Sequence, residues 1–86
     1  MNKQEIYQKA LEKWGKNGQA LKLAEECNEL SRAVIRYILN GDEDNFKEEL
    51  ADVKIMIEQM MLSFGQADVI KWEKAKLERL EGWLKE

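Results

Sequence analysis

Residues 24–52 read AEECNELSRAVIRYILNGDEDNFKEELAD, two stretches with helical spacing separated by a short turn. Each stretch carries two acids three residues apart: Glu26 and Glu29 in the first, Glu49 and Asp52 in the second. Residues three apart on a helix lie one turn above each other and face the same way. Each pair therefore offers two carboxylates to one point.

The apolar positions around these acids predict how the two helices face each other. At about 100° per residue, Glu26 lies at the edge of the first apolar stripe, while Glu49 lies within the arc of the second. A short connection favours antiparallel packing through the stripes, which would bring four carboxylates into a partly dehydrated groove. The first stripe is Leu23, Cys27, Leu30, Val34 and Ile38, and the second is Phe46, Leu50, Val53, Ile57, Met60 and Phe64.

Carboxylates this close together need a positive partner if all of them are to stay ionised. A hard divalent cation with oxygen ligands meets that need, and Mg²⁺, which keeps waters and binds phosphate oxygens, fits best. Basic side chains are the alternative partners. By the same angular reckoning Lys22 lies near Glu29, whereas Arg32 and Arg36 lie on the outer face.

Length and composition predict one all-α domain over residues 1–86. The chain has no proline and only five glycines, and it is rich in the strong helix formers Leu, Glu, Lys and Ala. A chain this short is near the lower limit for an adequate core of its own. We therefore expect a bundle of about four helices that assembles into a homo-oligomer, either a dimer or a tetramer.

Charge and residue usage exclude several classes of protein. The net charge is −3 without a basic stripe, so we expect no nucleic-acid partner. The absence of a long apolar run and of a signal-peptide core predicts a soluble, cytoplasmic protein with no membrane contact. The single Cys27 and the lack of histidine exclude an internal disulfide and the usual zinc ligand sets. Cys27 is predicted to be a small core residue.

Periodicity and turn residues predict four helices, over residues 3–14, about 17–39, about 45–63 and 68–83. Asn17 and Asp68 are predicted to cap the second and fourth helices, and Gly41 to end the second. An acidic run supplies the cap and first turn of the third helix, which accounts for it without a ligand role: Asp42, Glu43 and Asp44. The fourth helix has a broad apolar stripe suited to packing on its own chain and on a partner, formed by Val69 or Ile70 with Trp72, Leu77, Leu80, Trp83 and Leu84.

The acids also resemble a family signature. The pattern E-E-x-x-E, about twenty residues, then E-x-x-D is similar to that of the all-α nucleoside triphosphate pyrophosphatase superfamily, in particular its small MazG-like members. Here it is Glu25-Glu26-Cys27-Asn28-Glu29 followed by Glu49-Leu50-Ala51-Asp52. The phrases WGKNGQ, EELADVKIMIEQM and KAKLERLEGWL also look similar to compact phage members, so the resemblance covers nearly the whole chain.

This resemblance implies a site and a reaction. Glu26, Glu29, Glu49 and Asp52 would ligate Mg²⁺, with Mn²⁺ as a substitute, and Glu25 would assist through a bound water or by orienting the site. From the chemistry alone, either Glu26 or Glu25 could accept the proton of the attacking water. Family members hydrolyse a nucleoside triphosphate to the monophosphate and pyrophosphate by attack of water at the α-phosphorus. They form dimers or tetramers with sites near the subunit contacts.

The remaining residues agree with metal-assisted hydrolysis. The chain offers no Ser/His/Asp or Cys/His set and no Gly-rich phosphate loop. Trp14 could stack on a base and Gln19 could hydrogen-bond it, although Trp14 could equally be core and Gln19 could serve only the helix start. Basic candidates for the outer phosphates, which a solvated helix face would also explain, are Lys54, Lys71, Lys74, Lys76 and Arg79.

Two rival functions remain open from the sequence. Charged residues make up 36% of the chain, so acid pairs with helical spacing also arise by chance in a helical interaction module. Two pairs on adjacent helices, both turned towards the buried side, favour the metal site over that module. The other rival keeps the fold and the metal but lacks turnover, which would make the protein a nucleotide sensor.

Overall fold

A computed structural model describes residues 1–86, and it confirms the all-α prediction. Four helices follow one another with no strand between them. They form a bundle in which α1 to α3 supply every buried residue. Their bounds are α1 Lys3–Trp14, α2 Lys16–Asn40, α3 Glu43–Phe64 and α4 Gln66–Leu84.

A glycine with a positive φ angle stands in each connection: Gly15, Gly41 and Gly65. Such angles are open to glycine because it has no Cβ. Gly41 ends α2 as predicted, in the left-handed conformation, and its N–H donates to Tyr37 O at 2.8 Å.

Two of the predicted caps are wrong. Asn17 and Gly18 lie inside α2, which already begins at Lys16 after Gly15. Asp68 lies in the first turn of α4, which begins directly after Gly65 and has no side-chain cap. In both places the glycine turns the chain within one residue, so the next helix starts before the residue that was expected to cap it.

The acidic start of α3 is as predicted, although the helix begins two residues earlier than expected. Asp42 is the N-cap, and its Oδ1 accepts a hydrogen bond from Asn45 N at 3.2 Å. Glu43 and Asp44 lie in the first turn, where the positive end of the helix dipole favours carboxylates. These acids therefore have a structural role.

The helices α2 and α3 pack antiparallel, as the short connection predicted. Gln19, near the start of α2, bonds to Gln59 near the end of α3. At the opposite end of the pair, Arg36 Nη1 donates to Asn45 Oδ1 at 2.8 Å. The ring centroids of Tyr37 and Phe46 are 5.2 Å apart at that same end.

The face of α2 that meets α3 is rotated from the predicted stripe. Its buried residues are Gln19, Glu26 and Ala33, spaced seven apart, whereas Cys27 and Ile38 are exposed. Ala33 is the most buried residue of the chain, and its small side chain lets the helices approach closely. The prediction of Cys27 as a core residue is wrong. Glu26, expected at the edge of the stripe, lies within the helix interface.

On α3 the predicted stripe is buried only in part. Val53 and Met60 are buried as expected, together with Met56 and Gln59. The other members of the stripe face solvent or are only partly covered, and the exposed ones are Leu50, Ile57 and Phe64.

A polar contact between α1 and α3 fixes the first helix. The buried Tyr7 donates its hydroxyl to Glu58 Oε1 at 2.9 Å. Lys3 Nζ lies 3.1 Å from Glu58 Oε2. The hydrogen bond from Lys3, followed by that from Tyr7, lowers the pKa of Glu58. Burial, with the neighbouring Glu58, raises the pKa of Tyr7 to about 12.

These shifts predict how the stability gained from the Tyr7 hydroxyl depends on pH. Because the pKa of Glu58 is lowered in the folded protein, its ionised form adds to the free energy of unfolding above pH 4.5. That contribution is lost as the pH falls through the pKa of the folded state. Because the pKa of Tyr7 is raised, its neutral hydroxyl adds to the free energy of unfolding below pH 10.0. That contribution is lost as the pH rises towards 12. Melting curves of the parent and of Tyr7→Phe should therefore differ most between about pH 5 and pH 10.

The control for this prediction is Tyr37→Phe, which changes a half-exposed hydroxyl that has no hydrogen bond within the chain. Its melting temperature should follow that of the parent at every pH. A gap between parent and Tyr7→Phe that stays constant from pH 10 to pH 12 would contradict the proposed role of the hydroxyl.

The fourth helix is nearly free of its own chain. None of its 19 residues is buried, and it packs on neither α1 nor α2. The radius of gyration is 15.6 Å, against about 12 Å for a compact domain of this length. None of the four helices combines the length and the apolar character that crossing a membrane requires.

Candidate metal centre and adjoining cleft

Three carboxylates from α2 and α3 meet in the structure. Oxygens of Glu26, Glu49 and Asp52 all lie within 4.8 Å of one another. Glu49 and Asp52 share one face of α3 because they are three residues apart, and the antiparallel packing places Glu26 opposite them. The three-residue spacing on α3 and the register with α2 together form the cluster.

Two oxygens of this cluster are buried without a hydrogen-bond partner, Glu26 Oε2 and Glu49 Oε2. Only 10% of the Glu26 side chain is exposed. A buried polar atom that lacks a partner is costly, and a buried carboxylate is more costly than a neutral group. The cluster could therefore hold a positive ligand or a proton.

The electrostatics of the cluster include Glu29 as a fourth acid. Burial raises the pKa of Glu49, and the charges of Glu29, Asp52 and Glu26 raise it further. The charge of Glu26 is the main cause that raises the pKa of Glu29. Glu29 thus lies beside the three-carboxylate group, although its oxygens are not part of it.

One cation of the chain reaches these acids. Lys22 Nζ lies 3.3 Å from Glu26 Oε1 and 3.7 Å from Glu25 Oε1. The hydrogen bond to Glu26, with the charge of Glu25, raises the pKa of Lys22. Lys22 was expected near Glu29, and that carboxylate is only a minor influence on it. A single ammonium group leaves most of the negative charge of the cluster uncompensated.

The other basic side chains of α2 do not neutralise the cluster. Arg32 is exposed, in agreement with its predicted place on the outer face. The same prediction is wrong for Arg36, which reaches α3 and bonds to Asn45 at the far end of the helix pair. Glu25 is also outside the three-carboxylate group. Its side chain is largely exposed and lines the cleft beside Lys22.

A cleft of about 620 Å³ adjoins the acid cluster between α1, α2 and α3. Lys22 links the two, because it lines the cleft and contacts Glu26. Trp14 also lines the cleft and is 58% exposed, so its interpretation as a core residue is wrong for this chain. The rest of the apolar wall is formed by Ile6, Ala10, Leu21 and Met56.

A pair of buried glutamines lies at the cleft. Gln19 Nε2 donates to Gln59 Oε1 at 2.7 Å, and Gln59 Nε2 lies 3.6 Å from Met56 Sδ. The side chain of Gln19 therefore tethers two helices instead of serving the start of α2. Sequence reasoning missed Gln59. The available signal was an amide in the same arc of α3 as Met56 and Met60.

The basic candidates for phosphate contacts lie apart from the acids of their own chain. Lys54, Lys76 and Arg79 are exposed, and none forms an ion pair with the cluster. Lys54 acts electrostatically on Glu58, while the Arg79 guanidinium lies 5.0 Å from the Trp83 ring. The remaining two candidates on α4, also exposed, are Lys71 and Lys74.

Comparison with known proteins adds no assignment. No protein-family model, curated protein or solved structure matches this chain. The chemistry available to it follows from its own geometry: oxygen ligands suited to a hard cation, next to a cleft with an aromatic wall and two amides.

Proposed function

We propose that the chain is a MazG-like, Mg²⁺-dependent nucleoside triphosphate pyrophosphohydrolase. It would convert an NTP or dNTP to the monophosphate and pyrophosphate. The observation that carries this proposal is the convergence of Glu26, Glu49 and Asp52 within 4.8 Å, with two buried oxygens that lack a partner. The EExxE and ExxD pattern that suggested the family contains these same residues.

The donor set fits Mg²⁺. Magnesium prefers oxygen ligands, and it is commonly held by a few carboxylates together with substrate phosphates. Glu26, Glu49 and Asp52 would hold the ion with Glu29 beside them, and Mn²⁺ would be accepted by the same oxygens. When bound, the ion neutralises phosphate charge and activates water for attack at the α-phosphorus.

The neighbouring acid Glu25 is the better choice for the proton acceptor. In this proposal Glu26 is committed to the cation and to Lys22, which is 3.3 Å away. Glu25 lies outside the ligand group at the cleft. A general base must reach the proton that it removes, and Glu25 lines the cleft next to Glu26, with Lys22 at 3.7 Å.

The cleft would take the nucleoside. Trp14 presents an exposed ring for stacking, and Gln19 supplies an amide that can both donate and accept. Lys22, between the cleft and Glu26, would meet the phosphates.

The same proposal includes the association of the chain with a second copy of itself. The accessible surface is 6,894 Å², against about 5,300 Å² for a compact monomer of 10.1 kDa. The excess is close to what one partner buries in an obligate dimer, about 1,000 to 2,500 Å². Because Lys76 and Arg79 do not reach the acids of their own chain, they would serve the site of the other copy.

A product assay tests the reaction. The protein is incubated with canonical and modified NTPs and dNTPs in Mg²⁺, and products are resolved by anion-exchange chromatography. We expect monophosphate and pyrophosphate in equal amounts. Diphosphate with inorganic phosphate would contradict attack at the α-phosphorus. Binding without turnover would identify a nucleotide sensor, and the absence of both would identify an interaction module.

A further inference from the structure

The paired amides of Gln19 and Gln59 are the polar feature of the cleft that the acid cluster does not explain. Both residues are buried, at 7% and 5% exposure, and both line the cleft. We propose that this amide pair reads the hydrogen-bonding edge of a nucleobase stacked on Trp14, which makes Gln59 a specificity residue. The inference rests on the proposed function, because it takes the cleft ligand to be a nucleotide.

The hydrogen bonding of the pair is incomplete within the chain. A glutamine amide has two donor hydrogens and an acceptor oxygen with two lone pairs. The bond between Gln19 and Gln59 uses one donor and one lone pair. Beyond that bond, Gln59 Nε2 contacts only the Met56 sulfur at 3.6 Å, a weak acceptor. Donors and acceptors therefore remain for a ligand.

A base edge is the complement of such a pair. Glutamine can hold adjacent donor and acceptor atoms of a base with two parallel hydrogen bonds. A site discriminates strongly against a wrong base when that base would leave a buried polar group of the protein unpaired. Gln59 is buried, so a base with the wrong edge would leave its amide unpaired. The exposed ring of Trp14 offers stacking, which tolerates every base. The amides would therefore supply the discrimination and the ring the general affinity.

The two ends of the cleft differ in character, as do the base and phosphate ends of a nucleotide. Trp14 and the α1 part of the apolar wall lie on one side, while Lys22 and Glu25 lie towards the acid cluster. Gln19 precedes Glu26 by seven residues, about 10 Å along the helix. The base end and the phosphate end are thus separated along α2.

Gly18 allows binding to be tested apart from folding. It lines the same cleft, and a Cβ at this position would meet only the Trp14 Cβ, at 3.9 Å. That is an ordinary contact, and alanine is the better helix former. Gly18→Ala should therefore fold at least as well as the parent while placing a methyl group next to Trp14 in the cleft.

The experiment measures binding in metal-free protein, so that it does not depend on hydrolysis. Adenosine, cytidine, guanosine and uridine 5′-monophosphates are titrated in EDTA, with ribose 5-phosphate as the probe without a base. Side-chain NH₂ and indole signals are followed by ¹H–¹⁵N NMR. We expect one or more nucleotides to shift the signals of Gln19, Gln59 and Trp14, and ribose 5-phosphate to leave them in place.

Three variants complete the test. Gln59→Met keeps the size of the side chain and removes the amide, so the preferred nucleotide should bind about tenfold more weakly and the four affinities should converge. Gly18→Ala should weaken all four nucleotides without lowering the melting temperature. Gln8→Met, on the exposed side of α1, is the matched control and should behave as the parent.

A purely structural amide pair would give a different pattern. Gln59→Met would lower the melting temperature but leave the order of the four affinities unchanged, and that result would overturn the proposal. Absence of nucleotide-induced shifts at these residues would overturn it as well. Mg²⁺-dependent turnover with an unaltered base preference in Gln59→Met would overturn this inference alone. Base-selective binding with no turnover by the parent would contradict only the hydrolase.

Discussion

Glu49→Gln is expected to abolish Mg²⁺-dependent hydrolysis while leaving the melting temperature of the metal-free protein unchanged or raised. Glu49 Oε2 is buried without a partner, and burial together with like charges raises its pKa. An amide removes the charge and adds a donor that can meet Glu26 Oε2. The substitution thus removes a ligand of the proposed metal and relieves repulsion in its absence.

The response to Mg²⁺ separates this outcome from a general loss of fold. A ligand at about 100 times its dissociation constant stabilises the folded state by about 2.7 kcal/mol. At about 4–8 °C per kcal/mol for a domain of this size, the parent should melt roughly 10–20 °C higher in saturating Mg²⁺, and the variant should hardly respond. Differential scanning fluorimetry with and without Mg²⁺ measures both.

Glu48→Gln is the matched control for this experiment. Glu48 neighbours Glu49 on α3, is exposed and lies outside the three-carboxylate group. It should keep the Mg²⁺ response and the activity of the parent. Equal responses in the parent and in Glu49→Gln would contradict the metal site and favour the interaction module.

Leu80→Glu is expected to convert an oligomer into a monomer and to unfold α4. The purified parent should have at least twice the mass of the 10.1 kDa chain. Most helical stability in proteins comes from packing of an amphipathic face, and α4 buries none of its residues on its own chain. A charge in its apolar face should therefore cost both association and helix content.

The apolar face of α4 gives this prediction its direction. Val69, Trp72, Leu77 and Leu80 line one exposed cavity, and they lie on the same side of the helix by angular spacing. The surface area in excess of that of a compact monomer favours a second copy of the chain as the partner that covers this face. Because α4 also carries Lys76 and Arg79, loss of the oligomer should reduce hydrolysis although the acid cluster is intact.

Ala75→Glu controls for the effect of a new charge on α4. Ala75 is exposed and does not line the apolar cavity, so this variant should keep the mass and the far-ultraviolet circular dichroism of the parent. Light scattering coupled to gel filtration measures the mass. A parent that is monomeric at all concentrations yet fully helical would contradict the docking of a second copy.

Helix ends were predicted correctly from the sequence where a single residue fixes them through its own backbone conformation or capping side chain. Gly41 and Asp42 each act locally, and both end up where the pattern placed them. Asn17 and Asp68 also have capping side chains, but a glycine directly upstream lets each helix begin earlier. Capping preferences could not predict this, because they depend on residue type alone and not on where the preceding helix ends.

The rotation of α2 could not be predicted from periodicity. This helix is apolar over a wide arc, and Cys27, Ala33 and Ile38 all fall on or near it. Only part of such an arc can face α3, and the small Ala33 allows the closest packing. The rest remains exposed on the single chain, and the hydrophobic pattern does not distinguish a contact within the chain from one between chains.

The acid cluster was predictable because its spacing lies within single helices. Glu26, Glu49 and Asp52 meet once α2 and α3 pair antiparallel across their short connection, which also sets the register of the two helices. Gln59 and the cleft depend in addition on the rotation of α2 about its axis and on the place of α1. Those quantities are set by long-range packing, which spacing along one helix does not encode.

The single residue Gly65 between α3 and α4 limits where the last helix can go. Two antiparallel helices are ordinarily joined by a loop of two to five residues, as α2 and α3 are through Gly41 and Asp42. One residue is too short for such a reversal, so α4 projects away from α3 and cannot close a hairpin with it. On a single chain the apolar side of α4 therefore stays uncovered, and a neighbouring molecule can cover it.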